Sequence, residues 1–451
     1  MRFNSFEELL RYRAAAEPDR TALYDEKRSL SCRELLELVQ TRAESLRASG
    51  KSCLGVLTDG SLNCVVEIFA ANIAGLQTVL LDENLPEAVL RGLIAYTDVD
   101  TLWGDEELCG ELVGNLTAGV KDGKGKILFF TSGTTERSKA VVLTDYSLCQ
   151  SAWNGSAMLP LTPEDKLLCM LPLNHVFGFV CGLLWGLSCG AEVALGRGAR
   201  HYLDDCAFFK PTAISAVPRL IAFLLQQRAL NQELKLVLIG AGDCPPQILQ
   251  AVTAQGIRVS FGYGLTETSS GVAISTKGDP YAMEVCPDDV ITIAEDGEIL
   301  IAAPTCIMQG YYKWPEQTEA VLRHGILSTG DLGRFDENGR LHITGRKKDI
   351  LVLGDGTKIF LPEYEGALMK ALGHMELAVI LRDDRPVLVC SGAVEGCPDR
   401  TAVLQKLQPL MEELPRGQQL RDVILIQDPL PRTANGKIKR WELQQKAGIL
   451  K

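Results

Sequence analysis

The loop Thr131-Ser132-Gly133-Thr134-Thr135-Glu136-Arg137-Ser138-Lys139 is built from residue types that hold phosphate. The apolar run Ile127-Leu128-Phe129-Phe130 reads as a strand that empties into it. Small residues around Gly133 let backbone amides and hydroxyls wrap a polyphosphate, and Lys139 adds a point charge. The loop is not the GxxxxGKS or GxxxxGKT nucleotide loop, since its lysine–serine order and glycine spacing differ. Taken alone, it also reads as a polar turn. Gly240-Ala241-Gly242-Asp243 follows the strand-like run Leu236-Val237-Leu238-Ile239, and glycine there permits close backbone approach. By itself that segment is a turn. Lys437 lies in the Gly-flanked loop Asn435-Gly436-Lys437 and, alone, reads as an exposed lysine beside Lys439 and Arg440. His175 stands among apolar residues, where histidine is more often a satisfied core group.

Such groups need a rigid frame. Leu54-Gly55-Val56-Leu57 reads as a buried strand, 63–74 as a helix closed by Gly75, and Thr78-Val79-Leu80-Leu81 as the next strand. The theme repeats from Thr212-Ala213-Ile214-Ser215-Ala216-Val217 through a helix to 236–240. This alternation predicts α/β layers with mostly parallel sheets. From Ile291 the texture changes to short strands at 291–293, 297–301 and 339–343, like a small β-barrel or meander. A boundary at 346–348 gives a large N-terminal domain, 1–346, and a compact α+β C-terminal domain, 347–451. No internal repeat or low-complexity tract is visible.

The length of 451 residues predicts two or more domains. A chain that is 46% hydrophobic and 23% charged has the composition of a soluble globular protein. Its net charge of −11 argues against a nucleic-acid surface, which needs a basic stripe. ATP remains possible, because local cations, amides and Mg²⁺ neutralise phosphate. The 14 cysteines are scattered, and the pairs Cys181/Cys189 and Cys390/Cys397 lack zinc spacing. Buried reduced thiols of a cytoplasmic protein are expected. The N-terminus lacks the apolar core of a signal peptide. The most apolar segment, 176–187, is broken by Gly178, Gly182 and Gly186 and is too short to span a bilayer, so no stable membrane insertion is expected.

Five segments share one order along the chain: 130–139, Phe261-Gly262-Tyr263-Gly264-Leu265-Thr266-Glu267, Ser328-Thr329-Gly330-Asp331, Gly345-Arg346-Lys347-Lys348-Asp349 and 430–440. Together they resemble the adenylate-forming (AMP-binding) enzymes. These include acyl- and aryl-CoA ligases, nonribosomal peptide synthetase adenylation domains and beetle luciferases. The resemblance runs through nearly the whole chain.

It implies a large N-terminal domain of layered α/β sheets plus a small β-barrel, and a small mobile α+β C-terminal domain. It implies ATP or AMP contacts from Thr131, Ser132, Gly133, Thr134, Thr135 and Lys139. Tyr263 is expected to stack on adenine, with Ala241 and Gly242 on the opposite wall. Thr266 would bond the α-phosphate and Glu267 would hold Mg²⁺, which takes one or two carboxylates plus phosphates. Asp331 would bond the ribose hydroxyls and Arg346 would add a ribose or phosphate contact. Lys348 is the implied hinge. Lys437 would bridge the ribose oxygen, the attacking carboxylate and the α-phosphate; a fixed cation there lowers a barrier by about 3–4 kcal/mol. The chain departs from the family pattern where Glu136, Ser138 and Ala140 replace Gly, Pro and Gly.

The segment around His175 resembles the acyl- and aryl-CoA ligase form, and His175 is expected to line or gate the pocket. Val176, Phe177, Gly178, Val180 and Gly240 are the expected acyl pocket, with Gly178 and Gly182 clearing space for a tail. The segment 171–179 holds no acid to pair a substrate ammonium, which favours a plain carboxylic acid over α-amino acids. The implied reaction activates a fatty or aryl acid with ATP to an acyl-adenylate and then transfers it to a thiol. CoA is the expected acceptor, with an acyl carrier protein supplied in trans as the alternative. The small domain would swing between steps, presenting Lys437 first and then 350–358 with Gly354 and Gly356. A non-catalytic adenylate sensor draws support from the altered phosphate loop alone, and no motif distinguishes a luciferase-like oxygenase.

Overall fold

The computed structural model describes residues 1–120, 122–131, 139–242, 244–353, 357–373, 376–383, 385–391, 400–432 and 438–449. Contacts divide the chain into two compact units. One runs to Thr131, then from Lys139 to Thr329 and through Gly333–Ile343; the other takes Gly330–Leu332 and the chain from Thr344 onward.

In the first unit, strand Cys53–Thr58 is buried at every position. A parallel strand covered on both faces requires this unbroken apolar run rather than alternation. It pairs in parallel with Gln77–Asp82 and Thr101–Trp103. Helix Leu62–Ala74 connects Cys53–Thr58 to Gln77–Asp82. It starts at Ser61, whose hydroxyl accepts the Cys64 N–H, and ends at Gly75 with φ 90°. The six-stranded sheet runs Gly310–Tyr311, Ala140–Thr144, Lys126–Phe130, Gln77–Asp82, Cys53–Thr58, Thr101–Trp103. A nine-stranded sheet has at its centre the parallel strands Leu236–Ile239, Ala213–Ala216, Lys166–Cys169 and Glu192–Leu195.

Two reversals matter for the site. Strand Ala140–Thr144 runs antiparallel to Lys126–Phe130, and Ser270–Ile274 antiparallel to Arg258–Leu265. The reversals follow the strand ends Phe130 and Leu265. The large core holds an aromatic cluster in which Phe179 lies 5.9 Å from Phe6, 6.4 Å from Phe69 and 5.7 Å from Phe129. These tilted and edge-on rings fix the helical segment that follows His175.

The segment read as a small barrel is a five-stranded sheet. Val290–Ile293, Glu298–Ala302, Ile326–Phe335 and Leu322–Arg323 lie in that order, with Leu341–Arg346 also on Ile326–Phe335. In the second unit, Leu377–Arg382, Arg385–Ser391 and Asp422–Ile426 form a sheet. One apolar cluster there joins Leu361, Leu368, Val379, Leu388 and Leu407; another joins Ala378, Val387, Leu430 and Leu443. Every cysteine among the described residues is free. Burial raises the thiol pKa of many of them, to about 11 at Cys181 and about 12 at Cys169. Among the described residues no helix is long and apolar enough to cross a membrane.

Candidate active site

The phosphate-loop strand is Lys126–Phe130, with Ile127, Leu128 and Phe129 fully buried. The Thr131 N–H donates to the Lys139 carbonyl at 3.0 Å, bringing the two ends of the loop together. Ser132, Gly133, Thr134 and Thr135, with Glu136 and Ser138, lie outside the described residues. Lys139 is described. Its ammonium sits over the ring of Tyr311, 4.3 Å from the centroid.

Thr266 and Glu267 occupy a short 3-10 turn, Thr266–Thr268, at the end of strand Arg258–Leu265. The turn is heavily constrained. The Leu265 N–H donates to the Thr268 hydroxyl at 2.9 Å, and that hydroxyl donates to the Ser270 carbonyl at 2.9 Å. Ser269 and Ser270 take φ values of 53° and 114°. Backbone in such regions costs about 1–3 kcal/mol per residue and persists where its surroundings over-determine it, often at ligand sites. Gly264 is required: a Cβ there would stand 1.7 Å from the Ser270 carbonyl oxygen. Thr266 and Glu267 emerge half-exposed. The Glu267 carboxylate Oε1 accepts the Tyr311 hydroxyl at 2.7 Å. Burial and the Glu267 charge hold the Tyr311 phenol protonated, far above its ordinary pKa. Tyr263, the expected adenine platform, is largely buried on the same strand and pairs with Ala273.

Strand Leu236–Ile239 delivers Gly240, Ala241 and Gly242. A Cβ at Gly240 would lie 3.0 Å from Phe177 Cζ, so this glycine lets the half-buried Phe177 ring approach. The left-handed residue is Ala241, at φ 62°, rather than either glycine beside it. At Gly242 a Cβ meets Pro218 at an ordinary 3.8 Å.

His175 precedes helix Val176–Phe179, which continues into a π-helical turn, Val180–Leu184. Such turns recur at functional sites. His175 is exposed, yet desolvation by the adjoining chain lowers its pKa, with Asp82 opposing. Val176 and Val180 turn into the core, at 7% and 1% exposure. The expectation that Gly178 and Gly182 clear space for an acyl tail is corrected. A Cβ at Gly178 would stand 2.3 Å from the Pro172 carbonyl oxygen, and one at Gly182 2.7 Å from Cys169 Sγ. Both glycines dock the helix tightly on its neighbours. The cavity that Val180 lines with Gly155, Cys181, Trp185 and Leu238 holds about 20 Å³, room for one water.

In the second unit, Asp331 is 2% exposed and its Oδ1 lies 2.7 Å from Arg346 Nε. The two expected ribose contacts therefore meet each other. Lys348 is exposed in the 3-10 turn Lys347–Asp349. Lys437 lies outside the described residues, as do Gly354 and Gly356. The chain on either side of 433–437 is tied down. Arg432 and Ile438 form an antiparallel bridge, and the Lys439 N–H donates to the Pro431 carbonyl at 2.8 Å. Arg432 pairs with Glu376 at 2.6 Å, and Arg440 with Glu365 at 2.7 Å. Glu365 is 7% exposed and also accepts the Val379 N–H at 2.6 Å. Burial raises its pKa, while Arg440 lowers it.

The contacts made by Tyr311, Glu365, Arg432 and Arg440 escaped the sequence reading. Tyr311 had one signal, its place in the aromatic Gly310-Tyr311-Tyr312 step before Pro315.

Residues 10–126 and 126–312 match the family described as AMP-binding enzyme. The chain belongs to the AMP-binding enzyme family. The matched span contains the phosphate loop, Gly240–Gly242, Thr266, Glu267 and Tyr311. Among related AMP-binding enzymes, the indoleacetate–CoA ligase of Aromatoleum aromaticum is 26% identical over 491 residues, covering 96% of each chain. The 2-succinylbenzoate–CoA ligase of Bacillus cereus is 27% identical over 480 residues, covering 97% of each. The O-succinylbenzoate CoA synthetase (MenE) of Bacillus subtilis, solved with AMP, superposes with a TM-score of 0.80 at 23% identity, over 97% of this chain and 98% of that one. ATP-bound MatB from Rhodopseudomonas palustris gives a TM-score of 0.80 at 23% identity, over 99% of each. These likenesses establish the mixed α/β fold with a large domain and a smaller C-terminal one.

Proposed function

We propose that this AMP-binding enzyme activates an aryl carboxylic acid with ATP and passes the acyl group to CoA. The observation that carries the reading is the Lys139–Tyr311–Glu267 arrangement, which brings a phosphate-loop cation and a half-exposed carboxylate to one aromatic ring. Glu267 fits Mg²⁺: it offers hard oxygen, and among the described residues Tyr311 engages its Oε1. Bound there with ATP, the ion would neutralise phosphate charge.

In the first step the acid's carboxylate oxygen attacks the α-phosphorus. The bond from that phosphorus to the bridging oxygen breaks, and pyrophosphate leaves. Lys139 and the loop hydroxyls bind the polyphosphate, and Thr266 holds the α-phosphate. Asp331 and Arg346 orient the ribose, and Lys437 supplies the cation that relieves repulsion between carboxylate and phosphate. In the second step the thiol sulfur attacks the adenylate's carbonyl carbon. The carbonyl carbon–oxygen bond breaks, AMP leaves, and the thiol proton passes to solvent. The domain 347–451 pivots at Lys348 between the steps, which keeps water from the adenylate. His175, favoured as neutral by its lowered pKa, suits the edge of an apolar acyl site.

Aryl acids are favoured because the indoleacetate and 2-succinylbenzoate ligases are named for such acids. Nothing comparable favours a fatty acid. Incubation with ATP, Mg²⁺, CoA and a panel of aryl and fatty acids, read by mass spectrometry, tests the reading. Aryl-CoA and AMP are expected. Thioesters from fatty acids alone would overturn the substrate class, and product only when a carrier protein replaces CoA would overturn the acceptor.

A further inference from the structure

The segment from Met308 to Tyr312 links two motifs that lie far apart in sequence. At one end the Met308 N–H donates to the Glu267 carbonyl at 2.8 Å. At the other, Tyr311 pairs with Val141, and the Tyr312 N–H donates to the Ala140 carbonyl at 2.8 Å. Val141 and Ala140 directly follow Lys139 in sequence. Gly310 takes φ 144°, and the Tyr311 N–H donates to the Thr318 hydroxyl at 2.8 Å, which sets the strand's orientation. Backbone pairing therefore fixes the Tyr311 ring beside Lys139 and its hydroxyl against Glu267. Lys139 and Glu267 form no ion pair with each other among the described residues, although both reach this ring. Opposite charges so placed would otherwise neutralise each other, leaving neither for its ligand. The phenol gives each a different partner: the ring face attracts the ammonium, and the hydroxyl occupies one carboxylate oxygen.

We propose that Tyr311 is a positioning residue that holds Lys139 and Glu267 apart, keeping the lysine for nucleotide phosphate and the carboxylate for Mg²⁺. This rests on the ATP-dependent reading above. The test is calorimetric ATP binding by the full chain at stepped Mg²⁺ concentrations, for wild type, Tyr311→Phe and Tyr311→Leu, with thermal melts of each. Tyr311→Phe keeps the ring and loses the hydroxyl. It should need about tenfold more Mg²⁺ for half-maximal ATP binding, while ATP affinity at saturating Mg²⁺ and melting temperature stay near wild type. Tyr311→Leu should also weaken ATP about threefold at saturating Mg²⁺. An unchanged Mg²⁺ requirement in Tyr311→Phe overturns the proposal. So does a loss of ATP affinity that is uniform across Mg²⁺ concentrations and accompanied by a lower melting temperature, which marks plain packing. Binding is read without turnover. A wild type that binds ATP but activates no acid therefore sinks the ligase reading while leaving Tyr311 decided; one that binds no ATP sinks both.

Discussion

At the scale of single residues, what decides the chemistry is where charge is held. Lys437 is proposed to serve adenylation alone, its cation acting on the attack at phosphorus. Lys437→Ala should lose about 10²–10³-fold in acyl-adenylate formation. Thioester formation from a supplied acyl-adenylate should persist, as separate assays of the two half-reactions would read. Equal losses in both would contradict the assignment. Asp289 gives a second residue-scale prediction. Burial, helped by Asp288, pushes its carboxyl up to about 7. Asn154 Nδ2 donates to its Oδ2 at 3.0 Å, and among the described residues neither Oδ1 has a partner. A folded pKa above the unfolded value of about 3.9 means that the native state holds the proton more tightly. This contribution is fully present below about pH 4 and is lost as pH rises through about 7, on the order of a few kcal/mol. Asp289→Asn cannot ionise, and its amide can pair with that of Asn154. We expect the variant to be more stable than wild type at pH 8 and to lose this part of the pH slope, measured by urea melts at pH 5 and 8.

At the scale of elements, the buried parallel strands were legible because each is a short apolar run ended by glycine or a polar turn. The runs read at 54–57, 78–81 and 236–240 appear as Cys53–Thr58, Gln77–Asp82 and Leu236–Ile239. Gly75 closes its helix as read, and does so in the left-handed conformation. Close packing was not legible. Gly178 and Gly182 look like space in a sequence, whereas the carbonyl of Pro172 and the sulfur of Cys169 fill that space. Tyr311 was also invisible, because its role depends on pairing with Val141, a contact set by the sheet rather than by local pattern. The strained Ser269–Ser270 step looks in sequence like any serine pair. The 3-10 turn Lys347–Asp349 carries the proposed pivot. Lys348→Pro fixes one backbone angle there and removes an N–H. Thioester formation should fall while ATP–pyrophosphate exchange persists; unchanged thioester formation would remove Lys348 as the pivot.

At the scale of the whole molecule, the family was legible from five ordered segments, none of them decisive alone. Order along the chain carried that information, and the match over 10–126 and 126–312, which holds the first two of those segments, shows the family. The substrate was less legible, because acid specificity depends on the shape of a pocket assembled from distant elements. The sequence allowed fatty and aryl acids alike, and the named ligase relatives favour the aryl class. A net charge of −11 sets no obstacle to ATP, because a local cation such as Lys139, backbone amides and Mg²⁺ neutralise phosphate. The most direct test of the central claim is ATP–pyrophosphate exchange by the wild-type protein with labelled pyrophosphate, across aryl acids, fatty acids and amino acids. Mg²⁺-dependent exchange is expected with a subset of aryl acids and none with α-amino acids. Detectable ATP binding without exchange for any acid would contradict it.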